Sequence, residues 1–108
     1  MVYIIAISTY PQHLSEEVGK AYIEAVREVP IDRSLSKLVI PAAVQTGPEG
    51  FKVTTIYSVK EGKLKEALDR TNKGMLIYTK IKGFRYSVEV AYDAVEAMEL
   101  IGMKAPDV

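Results

Sequence analysis

Apolar and polar positions alternate along this chain in two periods, and the order of those periods predicts its architecture. Val2 to Thr9 is apolar on both sides, as in a central strand covered on both faces. Tyr10-Pro11-Gln12-His13 interrupts it. Leu14, Val18, Ala21, Tyr22, Ala25, Val26 and Val29 then recur at three-and-four spacing and predict a helix with those residues buried. Glu16, Glu17, Lys20, Glu24, Arg27 and Glu28 take its other side. The two early glutamates suit the positive end of the helix dipole, and Pro30 ends the run.

Residues 31–36 form a connection. Strands over Lys37–Thr46 and Phe51–Ser58 follow, joined by the turn Gly47-Pro48-Glu49-Gly50. Pro41 lacks an amide proton, which puts its strand at an edge or places a bulge there. Ser58-Val59-Lys60-Glu61 has capping-box spacing and is expected to open a second helix. Its buried stripe is Leu64, Ala67, Leu68, Thr71, Met75 and Tyr78, with Gly74 a candidate break. Phe84 to Tyr92 alternates with period two: Phe84, Tyr86, Val88, Val90 and Tyr92 on the buried face, Arg85, Ser87, Glu89 and Ala91 opposite. Asp93-Ala94-Val95-Glu96 repeats the capping pattern and starts a tail helix reaching about Met103.

Strand, helix, two strands, helix, strand and tail is the order of a ferredoxin-like split βαβ domain of the α+β class. Its antiparallel sheet carries two helices on one face and a short C-terminal helix follows, in a single domain spanning 1–108. The other face is open. Lys52, Thr54, Ile56 and Ser58 are expected there, beside Arg85, Ser87, Glu89 and Ala91. Ile23, Leu76, Ile77 and the apolar tail helix lie off the buried stripes, and with the open face they favour a homodimer. The order of elements and the hydrophobic pattern resemble the dimeric α+β-barrel superfamily over nearly the whole chain. That resemblance implies two sheets packed face to face. It also implies a range of functions: cofactor-independent oxygenases, small isomerases, haem-degrading or peroxidase enzymes, and ligand-sensing regulatory modules.

Composition narrows the range. Fourteen basic residues balance fourteen acidic ones, and no basic cluster of the kind that neutralises nucleic-acid phosphates is present. Lys82-Gly83-Phe84-Arg85-Tyr86 begins like an RNA-recognition octapeptide, but Arg85 and Glu89 stand where a small residue and an aromatic are required. Gly47-Pro48-Glu49-Gly50 mimics a phosphate clamp yet joins two strands and contains an acid. With no cysteine, disulfides, thiolate zinc sites and cysteine nucleophiles are excluded. No apolar run approaches the ~20 residues that span a bilayer. A cytoplasmic setting without membrane or nucleic-acid partner is expected.

Candidate chemistry is sparse. His13, the single histidine, lies at a strand end, where a base or haem ligand is sometimes placed. Glu89, between Arg85 and Ser87 on the open face, becomes a general acid or base if a dimer seals over it, because desolvation raises a carboxyl pKa. Arg85 either pairs with it or holds an anionic group. Tyr10, Arg85, Ser87 and Thr54 are the candidate ligand contacts. Tyr22, Tyr78, Tyr86 and Tyr92 read as core, and Tyr57 as a cap on the hairpin end of the core. The favoured reading is a homodimer that binds a small organic ligand, between sheet and helices or inside the barrel, with no cofactor and no metal. A cofactor-independent isomerase or oxygenase, and a regulatory or structural interaction module, are the alternatives. An enclosed polar cluster at Glu89 would mark the enzyme, a roomy apolar pocket the binder, and a solid interface the module.

Overall fold

The first strand takes the centre of the sheet, which is why its sequence is apolar on both sides. The computed structural model describes residues 1–107. The chain is an α+β protein with a four-stranded antiparallel sheet and, among the described residues, three α-helices. The strands are β1 (Val2–Tyr10), β2 (Ser36–Gly47), β3 (Gly50–Val59) and β4 (Arg85–Tyr92), and the helices α1 (Ser15–Glu28), α2 (Leu64–Leu76) and α3 (Ala94–Leu100). The strand order is β2-β3-β1-β4. β1 pairs Ile5 with both Ile56 and Glu89, and Ile7 with both Thr54 and Ser87. These residues share one face; Ile4, Ala6 and Ser8 take the other, where the helices lie and where all three are buried.

The helices start and stop for local reasons. A 3-10 turn, Gln12–Leu14, leads into α1, and Val29 closes it with its amide on the Ala25 carbonyl at 2.8 Å, one residue before Pro30. The Asp93 carboxylate accepts the Glu96 amide at 2.8 Å, the N-cap expected for α3, which ends at Leu100, three residues short of the predicted Met103. The capping box expected at Ser58–Glu61 does not form. Ser58 and Val59 stay in β3, where Val59 pairs with Val2 and Ser36, and α2 begins only at Leu64 with no side-chain cap. Two ladder pairings outweigh one cap.

β2 is an edge strand with register shifts between Leu38 and Ile40 and between Ile40 and Ala43. Pro41 lies in the second shift, and the Thr55 hydroxyl donates to its carbonyl at 3.0 Å, stitching the bulge to β3. The β2–β3 turn closes tightly: Gly50 has φ +125, and a side chain there would run into the Tyr10 carbonyl.

The core lies in two clusters. Leu14, Val18, Ala21, Ala25, Tyr78 and Ile81 form one, with Tyr10 and Phe84 against it. Ile4, Val59 and Ala67 form the other, with Leu35, Tyr57, Leu64, Leu68 and Val88 against it. The radius of gyration is 15.6 Å, above the ~13 Å of a compact domain of this length. The excess reflects an uncovered outer strand, β2, exposed over most of its length.

Five burial expectations need correction. Tyr22 and Val26 are 48% and 52% exposed, although the helical stripe aims them at the sheet. Tyr92, Val90 and Tyr86 are exposed as well, Tyr92 at 59%. Their register, Tyr86 opposite Ser8, Val90 opposite Ile4 and Tyr92 opposite Val2, puts all three on the helix face as expected. The direction is as predicted; the helices do not reach far enough to cover them.

Candidate functional site

Small residues occupy the middle of the helix-facing side of the sheet. Ala6 and Ser8 on β1, Thr55 on β3 and Ser36 on β2 stand where large aliphatic side chains would otherwise meet the helices. Ala25 of α1 and Ala67, Thr71 and Gly74 of α2 are equally short. Small residues on both sides of a layer leave space between them. The result is a cavity of about 280 Å³ between α1, α2 and the β1–β3–β2 half of the sheet. Its walls include Ala25 and Tyr78 from one core cluster and Ala67, Tyr57 and Leu35 from the other, so the cavity divides the core. The volume lies near the lower end of the ~300–1,000 Å³ typical of small-molecule sites.

The lining is mainly apolar, with polar groups at defined places. Tyr22, Tyr57 and Tyr78 come to it from α1, β3 and the turn after α2. Burial pushes the Tyr78 hydroxyl up to about 12, with smaller contributions from the neighbouring Tyr22, Tyr57 and Tyr10. Tyr57 is raised as well, by burial first and by Tyr22 second. Tyr57 and Tyr78 are therefore neutral hydrogen-bonding groups at neutral pH. Tyr57 does not cap the hairpin end of the core, as the sequence suggested; it pairs with Ile4 and Leu38 and faces the cavity.

Asp32 and Arg70 stand at the opening, where Pro30, Ile31, Pro41 and Ala42 are exposed. Asp32 lies in the loop after α1. Its Oδ1 accepts from the Ser34 hydroxyl at 2.6 Å and the Ser34 amide at 3.0 Å, an Asx turn that fixes the carboxylate. These bonds hold its pKa below the usual value, the hydroxyl contributing most, and the Arg70 guanidinium lowers it further. Arg70, half-buried on α2, donates its Nε to the Pro30 carbonyl at 2.9 Å. That bond ties α2 to the loop after α1 and leaves the terminal guanidinium nitrogens unused by it. Among the described residues, no carboxylate lies within 4.0 Å of Arg70.

The residues singled out from sequence lie elsewhere. Glu89, Ser87 and Arg85 are exposed on the open face, opposite Ile5, Ile7 and Thr9. Thr54 also pairs with Ile7, so the open face does bring Thr54 and Ser87 to opposite sides of one isoleucine. His13 is exposed in the 3-10 turn. Tyr10 does not line the cavity: its ring stacks 6.2 Å from Phe84, itself 4.7 Å from Tyr78, in an aromatic row. Sequence reasoning missed Asp32 and Arg70, which are far apart along the chain and belong to no motif. Asp-x-Ser is a recognisable turn signal; for Arg70 no signal exists. Among the described residues no three metal-ligating side chains converge, and no helix is long and apolar enough to cross a membrane.

The lining offers apolar and aromatic surface inside, with the charged Asp32 and Arg70 at the opening. The fold and cavity thus define a class, a small α+β protein with a hollow between its helices and an antiparallel sheet. Comparison with known proteins adds the fold alone. No family model matches the chain, and no curated protein matches it. Among solved structures it is similar to a de novo designed protein, Foldit4, with TM-score 0.51 and 12% identity over 85% of this chain and 96% of that one. A Thermotoga maritima protein provisionally named for thiamine biosynthesis or salvage aligns at TM-score 0.38 and 17% identity, covering 87% of this chain and 86% of that one. A REP-associated tyrosine transposase bound to a REP hairpin aligns at TM-score 0.41 and 13% identity, over 93% of this chain and 61% of that one.

Proposed function

We propose that this protein binds a small organic ligand in the cavity between α1, α2 and the sheet, and does so as a homodimer. The observation that carries the reading is the 280 Å³ cavity that splits the core. An unfilled hollow forfeits packing, at roughly 24 cal/mol per Å³ in core-truncation series, and a bound molecule recovers that contact. The strand order β2-β3-β1-β4 supports assignment to the ferredoxin-like class, and within it to the dimeric α+β barrels. The dimer half of the proposal rests on the open face, where half-buried Tyr3, Ile5, Ile7 and Ile56 make an apolar row with no helix over it. The cavity lies on the opposite side of the sheet from Glu89, so the ligand is placed away from that carboxylate and binding is favoured over catalysis.

Gly74 supplies the test. It lines the cavity from within α2, and a Cβ there meets nothing within 4 Å. Gly74→Leu should fill the hollow while improving helix propensity by about 0.5–1 kcal/mol. Native mass spectra of the purified protein should show a dimer with added mass that vanishes on denaturation, and the variant a dimer without it. A monomer overturns the dimer; added mass retained by the variant overturns the cavity as the site.

A further inference from the structure

Two opposite charges share the cavity opening without forming an ion pair. Asp32 is fixed by its Asx turn, with Oδ2 outside the two Ser34 bonds, and it carries its charge firmly at neutral pH. Arg70 is anchored through Nε to Pro30, which aims a planar fork whose remaining nitrogens that bond does not use. Both groups are pre-positioned by other contacts, so little side-chain freedom is lost when a ligand meets them. Within the cavity the polar groups are neutral hydroxyls, and the rest is aliphatic or aromatic. About 280 Å³ corresponds to roughly nine water volumes at ~30 Å³ each, room for a bicyclic ring body.

The charge pattern discriminates among polar ends for such a body. A carboxylate would gain Arg70 but meet Asp32, a like charge. An ammonium would gain Asp32 but meet Arg70. A neutral amide edge presents a carbonyl to the guanidinium and an N–H to the carboxylate and meets no repulsion. We infer that the ligand is a neutral ring compound whose amide-type edge sits at the opening, its carbonyl accepting from Arg70 and its N–H donating to Asp32. The inference rests on the cavity being the binding site and adds the class of molecule.

Calorimetric titration with 2-naphthamide and 2-naphthoate, two probes of one shape and different charge, tests it. The amide should bind about tenfold more tightly than the carboxylate, the worth of one charge-assisted hydrogen bond. Asp32→Asn should narrow the gap by strengthening carboxylate binding, an outcome that simple misfolding cannot produce. Equal affinities, or preference for the carboxylate, overturn the amide edge and leave the cavity reading standing. Failure of both probes to bind overturns both.

Discussion

The two ends of the helix layer use similar side chains to opposite effect. At one end Phe51, Tyr10, Phe84 and Tyr78 follow one another at centroid separations of 4.7–6.2 Å, against the cluster of Leu14, Val18 and Ile81. At the other, Tyr22, Tyr57 and one side of Tyr78 look into a hollow. The difference lies in the residues between the rings. The packed end sets Leu14, Val18 and Ile81 against its aromatics, whereas the hollow end, though it also has aliphatics such as Leu35 and Val53, adds the small Ala6, Ser8, Ala67 and Gly74. Aromatic content does not make a core; the size of the residues opposite does.

That contrast can be broken most forcefully at Tyr78, which belongs to both ends. Tyr78→Ala should cost about 3–5 kcal/mol, the range for a large aromatic removed from a core, while Tyr22→Ala should cost under about 1 kcal/mol. Denaturant midpoints of the two variants check this, and equal losses would erase the distinction between packed and hollow ends. A smaller effect follows from pH. The Tyr78 hydroxyl ionises at about 12 in the fold and near 10.0 in the unfolded chain. Its contribution is therefore intact below pH 10 and is lost as pH rises towards 12, with Tyr57 adding in the same direction. Urea midpoints across that window should fall in the native protein and fall less in Tyr78→Phe. The smallest effect is local. Amides of Ile4–Ser8 should be the slowest to exchange, and those around the β2 bulges among the fastest, because the first lie between two paired strands and the second on an irregular edge. Uniform exchange rates would place the stability of the sheet elsewhere.

The same contrast separates what sequence could and could not convey. Period-two alternation put Tyr86 and Tyr92 on the helix face correctly, and period 3.6 aimed Tyr22 and Val26 at the sheet. Periodicity states direction and carries no distance, so it could not reveal that these residues face space rather than neighbours. The hint was present in another form: Ala6 and Ser8 interrupt the large aliphatics of β1. The Ser58–Glu61 capping pattern misled because a local signal met two strand partners, Val2 and Ser36, that only the assembled sheet brings to Val59. Pro41 and Asp93 were legible because each acts through its own backbone or its own turn. Arg70 was not, since its meaning depends on Pro30 and Asp32 arriving beside it.

The two borders of the sheet are unlike, and this sets how far strand-to-strand association can run. β2 is twice interrupted in register and carries Pro41, so its outer edge makes a poor template for another chain. β4 pairs with β1 without a bulge and contains no proline, and its outer edge is regular from Arg85 to Tyr92. A second copy adding edge to edge finds an orderly row of free amides and carbonyls only there. Two copies joined β4 to β4 would present a bulged β2 at both outer borders, so such growth stops at a pair and cannot propagate into a fibre.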